Sequence, residues 1–243
     1  MTPGGDSVFH VKICGVTTAA DAEMVAAAGA DAIGLNFVAG SPRQLQLSQA
    51  RAVAAAVPAG VLRVGVFAGS TVADMLLIAR ELALDAIQLH GHLAGDEPPI
   101  DPPERCQELA GLPVIRAVRL AAPQPGSDGL APAREWIAAA AAAGMPAAMV
   151  IVDAAVSRGT PSGQLGGTGE RVDWAALARA GSLPVPMAVA GGLTPENVAE
   201  AIRASGLSAV DTASGVESAP GRKDPRKVEA FVAAARRAIR GGG

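Results

Sequence analysis

Short runs of apolar and β-branched residues alternate along this chain with longer, alanine-rich stretches of helical character. The first kind predicts strands at 8–15 (VFHVKICG), 31–37 (DAIGLNF), 62–68 (LRVGVFA), 86–91 (AIQLHG), 113–120 (PVIRAVRL), 148–154 (AMVIVDA), 186–192 (PMAVAGG) and 209–215 (AVDTASG). The second predicts helices at 18–29, 48–57, 71–83, 103–110, 131–143, 173–180 and 195–204, with a last one at 224–240. Ser48 and Thr71 stand where N-caps belong, and Thr194-Pro195 pairs a cap with a proline at the first helical position. Gly29 and Gly144 each follow an alanine run as stop signals. Eight strand–helix units in 243 residues fit one (β/α)8 TIM barrel better than a doubly wound sheet with an added domain. Neither a linker nor a composition break divides the chain, so residues 1–243 read as a single domain.

Composition narrows the function classes. There is no Tyr, with only four Phe and two Trp, so a stacking platform for nucleobases and a tyrosine-rich binding surface are both excluded. The formal net charge is −3 and no basic stripe exists, which removes nucleic acid and anionic membrane as partners. An anionic substrate then needs a local positive site. Two cysteines, Cys14 and Cys106, make no disulfide framework, and MTPGGDSVFH lacks the basic and apolar regions of a signal peptide. A cytoplasmic chain is expected. The uncharged stretch 136–152 (WIAAAAAAGMPAAMVIV) falls short of the ~20 residues of a membrane span, and Gly144 and Pro146 mark a helix ending before a strand.

The loops after the strands of such a barrel gather on one face, where active sites lie. Three Pro/Gly-rich stretches, 92–103, 121–132 and 157–170, belong to that face. On the first strand Lys12 and Cys14 are two apart and share a side, with Gly15 ending the run. A cation so placed favours a thiolate; a small packing residue is the equal alternative for Cys14 read by itself. Cys106, in RCQELAG, reads as packing. Asp153 closes the apolar run MVIVDA, where a carboxylate must be paired or kept protonated, and Asp211 in AVDTASG stands similarly. His90 and His92 form an H-x-H pair, but His10 is the only other histidine, so no catalytic metal site is expected. His90 reads as a hydrogen-bonding residue of the mouth and His92 as a solvated loop residue. Glycines cluster late, at 166–169 (GGTG), at Gly191 and Gly192, and beside Ser214 at Gly215. Backbone N–H groups at such turns, backed by helix N-termini, bind phosphate, and barrels commonly build that site after strands 7 and 8.

The ordered set of motifs resembles the phosphoribosylanthranilate isomerases. It comprises KICGVT (12–17), DAIGLNFVAGSPR (31–43), VGVFA (64–68), QLHG (88–91), VIRA (114–117), VDA (152–154), GGTG with VDW (166–174), AGGLTPENV (190–198), and SGVES with PGRKD (214–224). The resemblance implies an Amadori rearrangement of N-(5′-phosphoribosyl)anthranilate to 1-(2-carboxyphenylamino)-1-deoxyribulose 5-phosphate in tryptophan biosynthesis, without metal or organic cofactor. It implies Cys14 as general base, Asp153 as general acid and Arg43 of the SPR motif as partner of the anthranilate carboxylate. His90 and Asp211 match further polar residues of the family's pocket. The partner is then a small phosphorylated substrate, and the barrel works as a monomer or a homodimer. One group must start protonated while the other starts as a base, and opposed environments at Asp153 and Cys14 suit that division.

Three rivals are weighed against it. A Schiff-base or lyase barrel needs lysines in the mouth, whereas this chain has only Lys12, Lys223 and Lys227, the last two in the segment entering the final helix. The related sugar-phosphate isomerase of histidine biosynthesis carries aspartate where Cys14 stands. A non-catalytic phosphometabolite-binding barrel keeps the glycine-rich loops but has no need of both Cys14 and Asp153.

Overall fold

The apolar runs become eight short parallel strands: β1 (Val11–Cys14), β2 (Ala32–Asn36), β3 (Leu62–Phe67), β4 (Ala86–Leu89), β5 (Val114–Arg119), β6 (Met149–Asp153), β7 (Met187–Ala190) and β8 (Val210–Thr212). This is a computed structural model, and it describes residues 7–91, 101–109, 111–120, 128–153 and 174–241. The strands pair in chain order and β8 returns to β1, closing the barrel. At the closing seam Lys12 lies opposite Asp211, and on the other side of β1 Cys14 lies opposite Gly34. Each strand falls within its predicted range, and the TIM-barrel expectation holds.

Helices alternate with the strands: α1 (Ala19–Ala27), α2 (Leu47–Ala55), α3 (Val72–Leu82), α4 (Arg105–Glu108), α5 (Ala131–Ala142), α6 (Trp174–Ala180), α7 (Val198–Ser205) and α8 (Pro225–Gly241). Their buried positions follow the helical repeat. In α5 these are Ala133, Trp136, Ile137 and Ala140, and in α8 Val228, Phe231, Val232 and Ala235. A stripe of this kind is what an outer helix lays against the barrel, and each large side chain so buried contributes about 1.5–3 kcal/mol. The stretch 136–152 resolves into the end of α5 and most of β6, and no helix among the described residues is long and apolar enough to cross a membrane.

Two buried clusters show how strand alternation sorts the side chains. Val11, Ile13, Ile33 and Leu35 join the layer between strands and helices, whereas Ala32, Val64, Ala86, Ile115, Ala117, Ile151, Ala188 and Ala190 pack inside the barrel. By the same parity Lys12, Cys14, Gln88, His90, Arg119, Asp153 and Asp211 take interior-facing positions. The alanines leave room there, and Lys12 is fully buried among them.

Helix starts differ from expectation at two places. Ser48 lies inside α2; its N-cap is Gln46, whose backbone N–H donates to Gln49 Oε1 at 3.2 Å. Thr194-Pro195 opens a turn rather than a helix, and Asn197 caps α7 three residues later. Thr71 does cap α3, its side chain accepting from the Asp74 N–H. α4 is a single turn instead of the eight residues predicted over 103–110. Strand β8 ends at Thr212, and a one-turn 3-10 helix (Ser214–Val216) follows. A small antiparallel hairpin, β9 (Glu217–Ala219) with β10 (Arg222–Lys223), then fills the step before α8. Nothing in the apolar pattern signals that hairpin, since its strands are short and polar.

Candidate active site

Cys14 ends β1 and is half-buried. Its thiol lies against β2: a Cβ at Gly34 would come within 2.7 Å of Cys14 Sγ, so glycine in DAIGLNF makes the space the sulfur occupies. Beneath it Lys12 Nζ donates to Asp211 Oδ1 at 2.9 Å, a pair with both partners inside the barrel. Burial pulls the Lys12 ammonium toward lower pKa, but the charges of Asp211 and Cys14 outweigh it and the net shift is upward. Lys12 is therefore a fixed cation. For Cys14 the balance runs against the expectation of a favoured thiolate. Burial raises the thiol pKa, Lys12 and Lys223 lower it, Asp211 raises it again, and the net shift is upward. The Asp211 carboxylate spends much of the Lys12 charge before it reaches the sulfur.

Lys223 is the cation that reading along the chain misses. It lies at the end of β10, two residues before α8, yet its fully buried Nζ donates to the Cys14 carbonyl at 2.7 Å and the Ala213 carbonyl at 3.0 Å. It thereby joins the carboxyl ends of β1 and β8. Its third acceptor is Glu217 Oε1 at 2.8 Å. Burial lowers the Lys223 pKa more than Glu217 restores it.

Arg43 reaches the same corner. Its aliphatic chain crosses Gly15, where a Cβ would overlap the arginine methylenes. Its Nε donates to Glu217 Oε1 at 2.8 Å and its Nη2 to Glu217 Oε2 at 2.7 Å. The expected carboxylate reader thus already holds a carboxylate of its own chain. A guanidinium has five N–H donors, and Glu217 uses only the Nε–Nη2 side. The Nη1–Nη2 end remains as a second bidentate edge.

Asp153 ends β6 opposite Arg119 on β5 and Ala190 on β7. His90 follows β4, its backbone N–H donating to the Phe67 carbonyl at 2.8 Å. Burial lowers the His90 pKa, against an opposing pull from Asp153 and Asp211. The imidazole is neutral near pH 7, and its buried Nδ1 has no hydrogen-bond partner among the described residues. Cys14, Lys12, Asp211, His90 and Asp153 thus sit within one another's electrostatic reach, directly or through a shared neighbour.

The glycine-rich turns after β7 and β8 pack on one another. Thr212 Oγ1 donates to the Leu193 carbonyl at 2.7 Å, and a Cβ on Gly215 would overlap that same oxygen. Gly191 and Gly192 both have positive φ, of 90° and 62°. Among the loop hydrogen bonds of the described residues, none uses the Gly192 or Gly215 amide as donor. Gly191, Gly192, Ser214 and Gly215 therefore form one corner of the mouth. The helix N-terminus expected immediately behind Gly192 is displaced to Val198.

Other singled-out residues lie elsewhere. Cys106 is buried on α4 and its thiol is pushed up to about 11 by burial. It sits near Arg116, whose guanidinium stacks 5.2 Å from the Trp136 ring centroid on the outer side of β5. His92, GGTG (166–169) and most of the long loops after β4, β5 and β6 fall outside the described residues.

Comparison with known proteins matches this geometry to one family. Residues 11–234 match the family model described as N-(5'phosphoribosyl)anthranilate (PRA) isomerase. The N-(5'-phosphoribosyl)anthranilate isomerase of Ruegeria sp. (strain TM1040) is 42% identical over 230 residues, covering 93% of this chain and 97% of that protein. The solved phosphoribosyl anthranilate isomerase of Thermotoga maritima superposes with a TM-score of 0.72 at 32% identity, covering 94% of this chain and 99% of its own. A phosphoribosyl anthranilate isomerase solved with reduced 1-(o-carboxyphenylamino)-1-deoxyribulose 5-phosphate gives a TM-score of 0.69 at 30% identity, covering 94% and 99%. With the family model spanning all eight strands, this chain belongs to the N-(5'-phosphoribosyl)anthranilate isomerase family.

Proposed function

We propose that this barrel converts N-(5′-phosphoribosyl)anthranilate to 1-(2-carboxyphenylamino)-1-deoxyribulose 5-phosphate by general acid–base catalysis between Cys14 and Asp153. The observation that carries the reading is their placement: both end strands of one closed barrel on its interior side, β1 and β6, with β7 and β8 between them the short way round. A sugar bridging the mouth meets one group on each side. Asp153 gives its proton to the furanose ring oxygen, the C1′–O bond breaks, and the anilino nitrogen lone pair forms a C1′–N double bond. The Cys14 thiolate then removes the proton from C2′. Those electrons form a C1′–C2′ double bond and neutralise the nitrogen. The resulting enolamine tautomerises: the C2′ hydroxyl loses its proton, C1′ gains one, and the ketone forms with no net redox change. Each proton transfer by a positioned group supplies ~10²–10⁴-fold.

The remaining residues bind. Gly191, Gly192, Ser214 and Gly215 hold the 5′-phosphate through backbone N–H groups, the device barrels commonly place after strands 7 and 8. Arg43 offers its Nη1–Nη2 edge to the ring carboxylate, a charge-assisted contact worth about 1.5–3 kcal/mol. His90, neutral and inward-facing, and Asp211, anchored by Lys12, line the sugar's path. The whole chain acts as one domain in the cytoplasm, as a monomer or a homodimer, and takes neither nucleic acid nor membrane as a partner. Purified protein mixed with freshly generated phosphoribosylanthranilate should abolish the anthranilate-type fluorescence with multiple turnovers. A rate equal to the uncatalysed control would refute the assignment.

A further inference from the structure

The contacts around Glu217 form a chain from the cysteine's strand to the arginine's fork. Lys223 Nζ takes three acceptors, the carbonyls of Cys14 and Ala213 and the Glu217 carboxylate, at 2.7, 3.0 and 2.8 Å. Glu217 Oε1 accepts from both Lys223 and Arg43 Nε, while Oε2 accepts from Arg43 Nη2. Glu217 is 7% exposed and Lys223 3%, so neither is a surface ion pair whose worth water would erase. Arg43 is anchored at both ends, by its methylenes across Gly15 and by its fork on Glu217. A long flexible side chain held this way loses its rotamer freedom before substrate arrives, and binding then does not have to supply that ordering.

We propose that Glu217 is a positioning residue that aims the free Nη1–Nη2 edge of Arg43 at the ring carboxylate, with Lys223 as the counterion fixing Glu217 to the end of β1. The proposal rests on the carboxylate role given to Arg43 above. It makes the β9–β10 hairpin a specificity element, although Glu217 itself never touches substrate.

The test compares kcat/KM for phosphoribosylanthranilate and for the analogue built on aniline, which lacks the carboxylate. The proteins are wild type, Arg43→Ala, Glu217→Gln and the double variant. Gln keeps the shape of Glu217 but has one acceptor oxygen, too few to serve Lys223 and both donors of Arg43. Glu217→Gln should lower the ratio of kcat/KM on the carboxylated substrate to that on the aniline analogue ~10-fold or more, while any change in the Cys14 thiolate brought by the Lys223 charge it frees is common to the two substrates. In the Arg43→Ala background the same change should move that ratio less than ~2-fold, because its route of action is gone. Equal losses on both substrates, or a full independent loss of the ratio in the Arg43→Ala background, would overturn the proposal. If Glu217→Gln does not fold, Glu217→Gln/Lys223→Gln removes the stranded ammonium and is read for the same ratio. The outcomes separate the layers: a wild type without turnover removes the function, and equal losses on the two substrates in Arg43→Ala remove the carboxylate role and this proposal with it. A larger loss on the carboxylated substrate in Arg43→Ala beside equal losses in Glu217→Gln removes the proposal alone.

Discussion

The base proposed here, Cys14, stands in a setting that, on balance, holds its proton. Burial raises the thiol, and the two lysines that oppose it are each partly spent on a carboxylate, Lys12 on Asp211 and Lys223 on Glu217. The active thiolate is then a minority species at neutral pH, and activity should be limited by its population. We expect alkylation of substrate-free Cys14 by iodoacetamide, read against Cys14→Ser, to quicken with pH through neutrality and to keep quickening above the ordinary thiol value of about 8.5. A rate already flat at pH 7 would mean that substrate-free Cys14 is ionised. His90 carries the opposite sign. Its folded pKa lies below the ordinary 6.5 because burial disfavours the imidazolium. The folded state therefore binds fewer protons than the unfolded one just below pH 6.5, so stability present above that value is lost as pH falls. Thermal unfolding between pH 7.5 and 5 should show a steeper acid loss in wild type than in His90→Asn; parallel curves would remove His90 from the pH response.

The β7 and β8 turns act as one element, because Gly215 presses on the Leu193 carbonyl that also accepts from Thr212. Gly215→Ala must push the two turns apart. If they hold the phosphate, that variant should raise KM at least ~10-fold and lose competitive inhibition by inorganic phosphate, with kcat changed far less. Unchanged inhibition by phosphate would place the anion elsewhere. The strands of this barrel were legible because each is a short, largely apolar or β-branched run, three to six residues long in the fold, bounded by turn residues. Helix starts were less so. Ser48 and Thr194 are good caps by residue type, but the ends are set at Gln46 and Asn197 by local hydrogen bonding that residue preference alone does not reveal.

The whole molecule adds what no local window contains. Lys12 and Asp211 are 199 positions apart and become neighbours only when β8 closes on β1. Lys223 reaches Cys14 across 209 positions by the same closure. Interior parity made Cys14 and Asp153 readable as mouth residues, since it depends only on counting by twos along a strand. Lys12 was readable beside Cys14 in the same way, but its pairing with Asp211 and the reach of Lys223 to the Cys14 carbonyl were not. Asp211→Ala should strand the fully buried Lys12 and cost about 3 kcal/mol or more, lowering Tm by roughly 6–12 °C. Lys12→Met/Asp211→Leu should recover most of that loss, since a matched apolar pair leaves no buried charge; a double variant no better than Asp211→Ala would show that the pair is needed for closure itself. The account as a whole turns on acid–base division across the barrel, and the most direct measurement is the steady-state rate on phosphoribosylanthranilate of Cys14→Ser and Asp153→Asn beside wild type. Both should bind substrate with near-wild-type affinity and turn it over ~10²–10⁴-fold more slowly or worse, because the first lacks the base that accepts the C2′ proton and the second lacks the acid that protonates the ring oxygen. Substantial turnover by either variant would contradict the assignment of base to β1 and acid to β6.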